Sequence, residues 1–436
     1  MRVVDYVLPP RSAYLHIPFC QRRCFYCDFP VVPLGDRASG IKGTGSSSIK
    51  AYLELLHKEI AISPQGPPLA TVYIGGGTPS LLSPLQISSL LKHLQQRFGL
   101  QDGAEITLEM DPATFQEQDL YKFLDIGINR ISLGGQSFDD KQLENIGRKH
   151  RRIDLLEACS WLSSALENGK LKSWSLDLIQ NLPGHNLLDW ESQLFEAIST
   201  NAPHISVYDL SIEDGTVFSW LKSKNELLLP GEEIAAEIMN STSLVLSNAG
   251  LSRYEISNFA FPGHASRHNR VYWRGSGWWA FGLGSTSSPW GQRLTRPRTR
   301  ESYSDWIETQ EKDGPDESLL ASKAMPMPLD EKVLVGLRCR EGVDLNALAC
   351  EWGWNKSESK TYIKMLESRW QKAIELGWLK KTSNRYSLTD PFGMTVSNQV
   401  LVEMMLWWES LPLDAVEEPI LQVHPRFVFG HLSKQD

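Results

Sequence analysis

A chain of 436 residues, 41% of them hydrophobic, is long enough for one large domain and a smaller second one. Its formal charge of −8 argues against a non-specific nucleic-acid binder, which works by releasing counterions from a cationic surface. The opening residues Met1-Arg2-Val3-Val4-Asp5-Tyr6 lack the apolar core of a signal peptide, and no run of about eighteen apolar residues exists to span a membrane, so a cytoplasmic location is expected.

From residue 12 to about 210, short apolar segments alternate with longer amphipathic ones. Strands are expected at 13–17, 71–74, 105–109, 130–133, 174–179 and 205–210, and helices near 49–62, 84–98, 117–126, 153–168 and 187–199. That order implies parallel pairing through right-handed crossovers. Six such units are too few for an eight-stranded barrel. The expected fold is therefore α/β, an open, partial (β/α)6 barrel with its chemistry at the C-terminal ends of the strands. The Gly- and Ser-rich stretch 33–48 reads as a mobile surface loop, and the polar stretch 293–328 as a linker with a short helix inside it. Residues 329–436 read as a smaller α+β region, with helices near 329–340, 344–352 and 356–376 and a two-stranded wing at 378–382 and 385–389. Helices followed by a small hairpin suggest a winged-helix-like module. Such modules often bind DNA, an expectation that the acidic balance lowers. The division expected is 1–292, 293–328 and 329–436; no signal is clear from about residue 409 onward.

Three of the six cysteines, Cys20, Cys24 and Cys27, share one short loop directly after the first strand. Without a secretory signal, clustered thiols are metal ligands more often than disulfides. A structural metal site takes four protein ligands, and a cubane iron–sulfur cluster is usually held by four thiolates. Three thiolates with no fourth nearby point to a cluster with one iron left open for a substrate or cofactor. The alternative is zinc with His16 as fourth ligand. Cys159, Cys339 and Cys350 are scattered and read as buried small hydrophobes. Gly75-Gly76-Gly77-Thr78-Pro79 follows the second strand and either lets main-chain atoms approach a ligand or makes a tight turn. It lacks the Lys-Ser/Thr ending of a phosphate-binding loop.

With Tyr14-Leu15-His16-Ile17-Pro18-Phe19-Cys20 ahead of the thiols, roughly residues 10–400 resemble the radical S-adenosylmethionine (SAM) superfamily, in the branch related to oxygen-independent coproporphyrinogen III dehydrogenase. The resemblance implies that Cys20, Cys24 and Cys27 ligate three irons of a [4Fe-4S] cluster and that SAM chelates the fourth through its amino and carboxylate groups. One-electron reduction of that cluster could then cleave SAM to a 5′-deoxyadenosyl radical. It further implies a SAM site bordered by Tyr14, Tyr26, Gly76, Gly77 and Thr78, the glycine loop meeting the amino group. Glu109 would accept from the ammonium or a ribose hydroxyl, Gln136 would offer an amide, Arg148 would fork onto the carboxylate and Asp177 would take the ribose. Asp111 reads as a turn cap, and Asp209 is the poorer candidate contact.

Within this branch the residues that follow resemble the haem chaperone HemW family more closely than the dehydrogenase. Phe29 stands where the dehydrogenase carries a further cysteine, and only about a dozen residues precede the first strand, where that enzyme has an extension covering its substrate. His268-Asn269-Arg270-Val271-Tyr272-Trp273 matches the HNxxYW motif of the chaperone group, and Tyr254-Glu255-Ile256-Ser257-Asn258-Phe259 fits with it. His268 is thus either an axial haem ligand or a buried, hydrogen-bonded core residue. Trp278, Trp279, Phe281 and Trp290 offer flat apolar surface for a macrocycle. Gly282-Leu283-Gly284-Ser285-Thr286-Ser287 lacks a histidine usual in the group. Arg293, Arg296, Arg298 and Arg300 read as a solvated basic linker, with haem propionates as the other possibility. The resemblance implies a chaperone holding one haem, a [4Fe-4S] cluster and SAM. Recipient haem proteins such as respiratory cytochromes, a homodimer and the membrane periphery are the contacts expected, and no nucleic acid. The rival functions are coproporphyrinogen III dehydrogenation and radical methyl transfer to a small molecule.

Overall fold

The computed structural model describes residues 3–4, 9–35 and 46–421. Six parallel strands form where the alternation places them: β1 (Ser12–Ile17), β2 (Leu69–Gly76), β3 (Leu100–Met110), β4 (Arg130–Gln136), β5 (Ser173–Gln180) and β6 (His204–Asp209). The helices between them are α1 (Ser47–Ile62), α2 (Pro84–Arg97), α3 (Glu117–Asp125), α4 (Asp140–Asn145), α5 (Arg152–Glu167) and α6 (Leu187–Ser199). Local chemistry sets the helix starts. Ser46 caps α1, and Ser83 with Gln86 closes a capping box behind Pro84 at the start of α2.

Among the described residues the sheet has nine strands, three beyond the six expected. β7 (Ser252–Glu255) and β8 (Asn258–Ala260) form an antiparallel pair that extends the sheet beyond β6. β9 (Trp279–Phe281) lies parallel to β1 on the other edge, Ala13 facing Trp279 and Leu15 facing Phe281. Among the described residues the two edges do not pair, so the barrel is open.

Each strand alternates with period two. One face carries Ala13, Leu15, Ile17, Val72, Ile74, Leu108, Ile131, Leu133, Trp174, Leu176 and Ile205, all buried in the main core with the helices. The other face is polar and lines the lumen: Tyr14 and His16, Thr71 and Tyr73, Glu105, Thr107 and Glu109, Ser132, Ser175 and Asp177, His204 and Ser206. A polar lumen demands partners, and cross-strand hydrogen bonds such as Ser132 to Asp177 at 2.6 Å supply them.

The stretch read as a linker is largely structured. It contains α10 (Arg300–Asp313), after α7 (Val217–Ser223), α8 (Glu232–Asn248) and α9 (Arg267–Trp273) in the chain. Tyr303 and Ile307 of α10 are fully buried in the main core. Arg296, read as solvated, is 2% exposed and ion-paired to buried Glu59, Nε to Oε1 at 2.7 Å. Glu59 also accepts from Tyr303 and from the Gly282 N–H. A guanidinium enters a core only with such a partner. Of the loop read at 33–48, residues 36–45 lie outside the described residues.

Residues 329–415 surround a second core. Helices α11 (Leu329–Leu337), α12 (Leu345–Glu351) and α13 (Lys356–Glu375) precede the wing strands Leu379–Thr382 and Arg385–Leu388. A third short strand, Val343–Asp344, pairs with the second wing strand. The helix Ser397–Glu409 was not expected. Two of the scattered cysteines correct the reading given above, for Cys350 is exposed and Cys339 half-buried. Among the described residues no helix is long and apolar enough to cross a membrane.

Candidate functional site

A cavity of about 460 Å³ opens at the C-terminal ends of β1 to β6. Cys20, Cys24 and Cys27 line it together with Tyr26, Gly76, Gly77, Thr78, Glu109, Gln136, Arg148 and Asp177. The structure thus gathers these expected residues around one space. Tyr14 and His268 are not among its walls.

The thiol loop is closed on itself. Leu34 N–H donates to the Cys20 carbonyl at 2.8 Å, and Arg23 Nε–H to the Cys27 carbonyl at 3.1 Å. Burial pushes the Cys20 thiol up to about 12, with a hydrogen bond from Thr78 pulling the other way. Cys27 is raised as well, again chiefly by burial. Thiolate ligation here therefore releases protons. Among the described residues no three His, Cys, Asp or Glu side chains are gathered for a single metal ion. His16 is occupied elsewhere, with Nδ1 to Tyr14 Oη and Nε2 to the Pro30 carbonyl, both at 3.0 Å. The zinc alternative loses its fourth ligand.

The glycine loop is more than a turn. A Cβ on Gly75 would meet Glu109 Oε1 at 2.8 Å, one on Gly76 the His16 ring at 2.5 Å, and one on Gly77 the Cys20 sulfur at 2.9 Å. Gly76 also has φ +117°, a conformation that side chains disfavour. Only glycine lets this main chain run between the thiol loop and Glu109.

Glu109 accepts from Tyr73 Oη at 2.8 Å and from the Gly76 N–H at 2.9 Å. Burial raises its carboxyl to about 7, against the pull of those two hydrogen bonds and of Arg148. Gln136 takes φ +66° at a register shift in β4 and lines the cavity. A left-handed non-glycine residue costs on the order of 1–3 kcal/mol and is often held for function. Arg148 donates to the Gly134 carbonyl at 2.6 Å, pairs with Asp111 at 3.3 Å and approaches the Cys24 sulfur at 3.7 Å. Its buried Nε–H has no partner among the described residues, which leaves one donor for an anion. Asp111 caps Ala113 as expected and also holds this arginine. Burial raises the Asp111 carboxyl, but Arg148 and His150 outweigh it and bring it to about 2. Asp177 accepts from Ser132 and Ser175, and burial raises its carboxyl.

His268 is 1% exposed, with Nδ1 bonded to Thr71 Oγ1 and Nε2 to Tyr272 Oη, both at 2.8 Å. Burial lowers it to about 3, so it is neutral. Both nitrogens are engaged by neighbours, and neither faces open space. Trp278, Trp279, Phe281 and Trp290, read above as apolar surface for a macrocycle, are all buried. Tyr73, Ser132 and Tyr208 line the cavity and were missed. Extending the inward period of β2 back two residues from Gly75 finds Tyr73.

The arrangement offers three thiols to a soft metal group, a buried carboxylate to a cation, and a guanidinium N–H to an anion. A model of the radical SAM superfamily matches residues 14–194. The chain is 38% identical over 408 residues to a haem chaperone HemW from Synechocystis sp., covering 90% of this chain and 96% of that one. It is 33% identical to a haem chaperone HemW from Bacillus subtilis, covering 79% and 87%, and 35% identical to one from Escherichia coli, covering 67% and 75%. The solved structure of coproporphyrinogen III oxidase HemN from Escherichia coli, a radical SAM enzyme, superposes with a TM-score of 0.72 over 92% of this chain and 91% of that one. At 19% identity that likeness carries the fold alone.

Proposed function

The chain belongs to the haem chaperone HemW family of radical SAM proteins, and we propose that it binds haem and delivers it to haem proteins such as respiratory cytochromes. The family implies a [4Fe-4S] cluster and SAM. In this reading Cys20, Cys24 and Cys27 would hold three irons. Arg148, through its free Nε–H, would take the SAM carboxylate, and Glu109 the ammonium, with Gly76, Gly77 and Thr78 alongside. Gln136 and Asp177 would meet the nucleoside. When bound and reduced, such a cluster would supply one electron to the sulfonium of SAM.

The chain's own residues do the placing. Arg148 ties Asp111, Gly134 and the Cys24 sulfur into one unit, so anion binding and thiol placement share a rigid group. Glu109 at about 7 is poised to be charged once an ammonium faces it. A cytoplasmic place, a homodimer and contact with the membrane periphery belong to the same proposal.

The observation that carries the reading is the 38% identity to a HemW over nearly the whole of both chains. The test is a haem titration of the purified protein, followed at the Soret band. A saturable shift at micromolar protein is expected; its absence overturns the proposal.

A further inference from the structure

The HNxxYW segment lies at the opposite end of the lumen from the thiols. Glu105 on β3 accepts from the N–H groups of Arg267 and His268 and anchors the start of α9. His268 then reaches Thr71, and its ring lies against that of Tyr73, centroids 5.2 Å apart and planes 27° from parallel. Tyr73 also neighbours Tyr14, at 6.1 Å and 25°. The hydroxyl of Tyr73 is the one that donates to Glu109. A continuous set of contacts therefore runs from the motif, through one tyrosine, to the carboxylate in the cavity.

We propose that His268 and Tyr73 are positioning residues for SAM: His268 fixes the ring of Tyr73, whose hydroxyl aims Glu109 at the ammonium group. This rests on the SAM site assigned above. It also gives the motif a task other than ligating haem. With both ring nitrogens engaged, the imidazole cannot turn without leaving Thr71 or Tyr272 unsatisfied in a buried place. To reach haem iron it would have to break one of those bonds. As a flat, fixed, neutral neighbour of Tyr73 it needs to break none.

The charge state of Glu109 supplies a readout that mere packing would not move. Facing it are Tyr73 and the Gly76 N–H from β2, Tyr14 from β1, Asp177 from β5, Tyr272 from α9, and Arg148 from the segment after α4. Tyr73 stabilises the charged form. Without its hydroxyl the carboxyl titrates at higher pH, and ammonium binding fails at a pH where the native protein still binds.

The experiment uses the full chain with its cluster reconstituted. SAM binding is measured by equilibrium dialysis between about pH 6 and 9, bracketing a carboxyl near neutrality, beside haem titration of the same samples. Tyr73→Phe is expected to weaken SAM roughly tenfold near neutral pH, the scale of one hydrogen bond to a charged group, with the loss shrinking as pH rises. His268→Ala is expected to weaken SAM in the same sense and to keep its Soret shift; His268→Phe, which keeps a flat ring, restores part of the affinity. Tyr73→Phe removes one oxygen only, so it carries the test even where His268→Ala fails to fold. SAM binding undiminished in Tyr73→Phe and His268→Ala overturns the proposal alone. So does loss of the Soret shift in His268→Ala with SAM binding intact. A native protein that holds no SAM overturns the site assignment and this proposal with it.

Discussion

Replacing Gly77 by alanine should empty the proposed cluster site of a protein that still folds. The added Cβ would stand 2.7 Å from the Phe19 carbonyl oxygen and 2.9 Å from both the Cys20 sulfur and the Pro18 carbonyl carbon. Ordinary contact begins at 3.4 Å, so the oxygen must retreat by about 0.7 Å and the sulfur by about 0.5 Å. The oxygen belongs to the backbone and is itself held by the Thr78 N–H at 2.7 Å, so it has little room to give. Overpacking of this kind costs about 1–3 kcal/mol, which a domain stable by about 5–15 kcal/mol survives. Metal–ligand distances tolerate only about 0.2 Å. A sulfur displaced by half an ångström is outside that tolerance while the fold is inside its own. Gly231→Ala is the control, because among the described residues nothing lies within 4 Å of its added Cβ. The assay is anaerobic reconstitution followed by iron and sulfide analysis, visible absorption and thermal unfolding. A Gly77→Ala protein carrying the full iron and sulfide of the native chain would refute the reasoning.

Cys24→Ala should abolish iron and sulfide binding with little change in thermal stability, since Cys24 is only half-buried; retained visible absorption would refute the ligand assignment. Arg296→Met should destabilise the protein by about 3–5 kcal/mol in denaturant unfolding, because it strands Glu59 in the core, and adding Glu59→Leu should recover most of the loss. In acid, Asp111 sets a measurable limb. Its folded carboxyl is lowered from 3.8 to about 2, so its contribution is whole above about pH 4 and is lost as pH falls towards 2. That contribution is about 2 kcal/mol, and Asp111→Asn should flatten the acid-unfolding profile in this window.

The six barrel strands were legible because their two faces differ in kind. Alternation such as Ser175, Leu176, Asp177, Leu178 in β5 states both the strand and its inward side. The candidate residues at the strand ends followed from that pattern, and most of them line one cavity. What escaped had a physical cause each time. β9 is three residues long and lies within an aromatic run, so Trp279 and Phe281 read as a platform instead of a core strand. The helix Ser397–Glu409 is apolar nearly all round, with Val402, Met405 and Leu406 exposed, so it shows no stripe. Arg296 is one of four arginines within eight residues, and only its meeting with Glu59, 237 positions away, takes it inside. His268 fits a ligand and a core residue equally well until Thr71 and Tyr272 are seen to take both its nitrogens.

One strand accounts for the spacing of motifs that lie far apart in the chain. β2 carries Thr71, Tyr73 and the Gly75 to Gly77 loop in order along its inner face and end. Thr71 meets His268, almost two hundred residues later. Tyr73 meets Glu109 on the next strand. Gly77 abuts the loop of Cys20 from the strand before. Successive inward residues on a strand are about 7 Å apart, so the histidine motif, the carboxylate and the thiols stand in successive layers of one lumen. Each layer meets the next through a hydrogen bond, a ring contact or the close approach of Gly77 to the thiol loop. On the proposal made above, His268 acts on the SAM site through Tyr73 without touching SAM, so its mutation has to be scored for SAM as well as for haem.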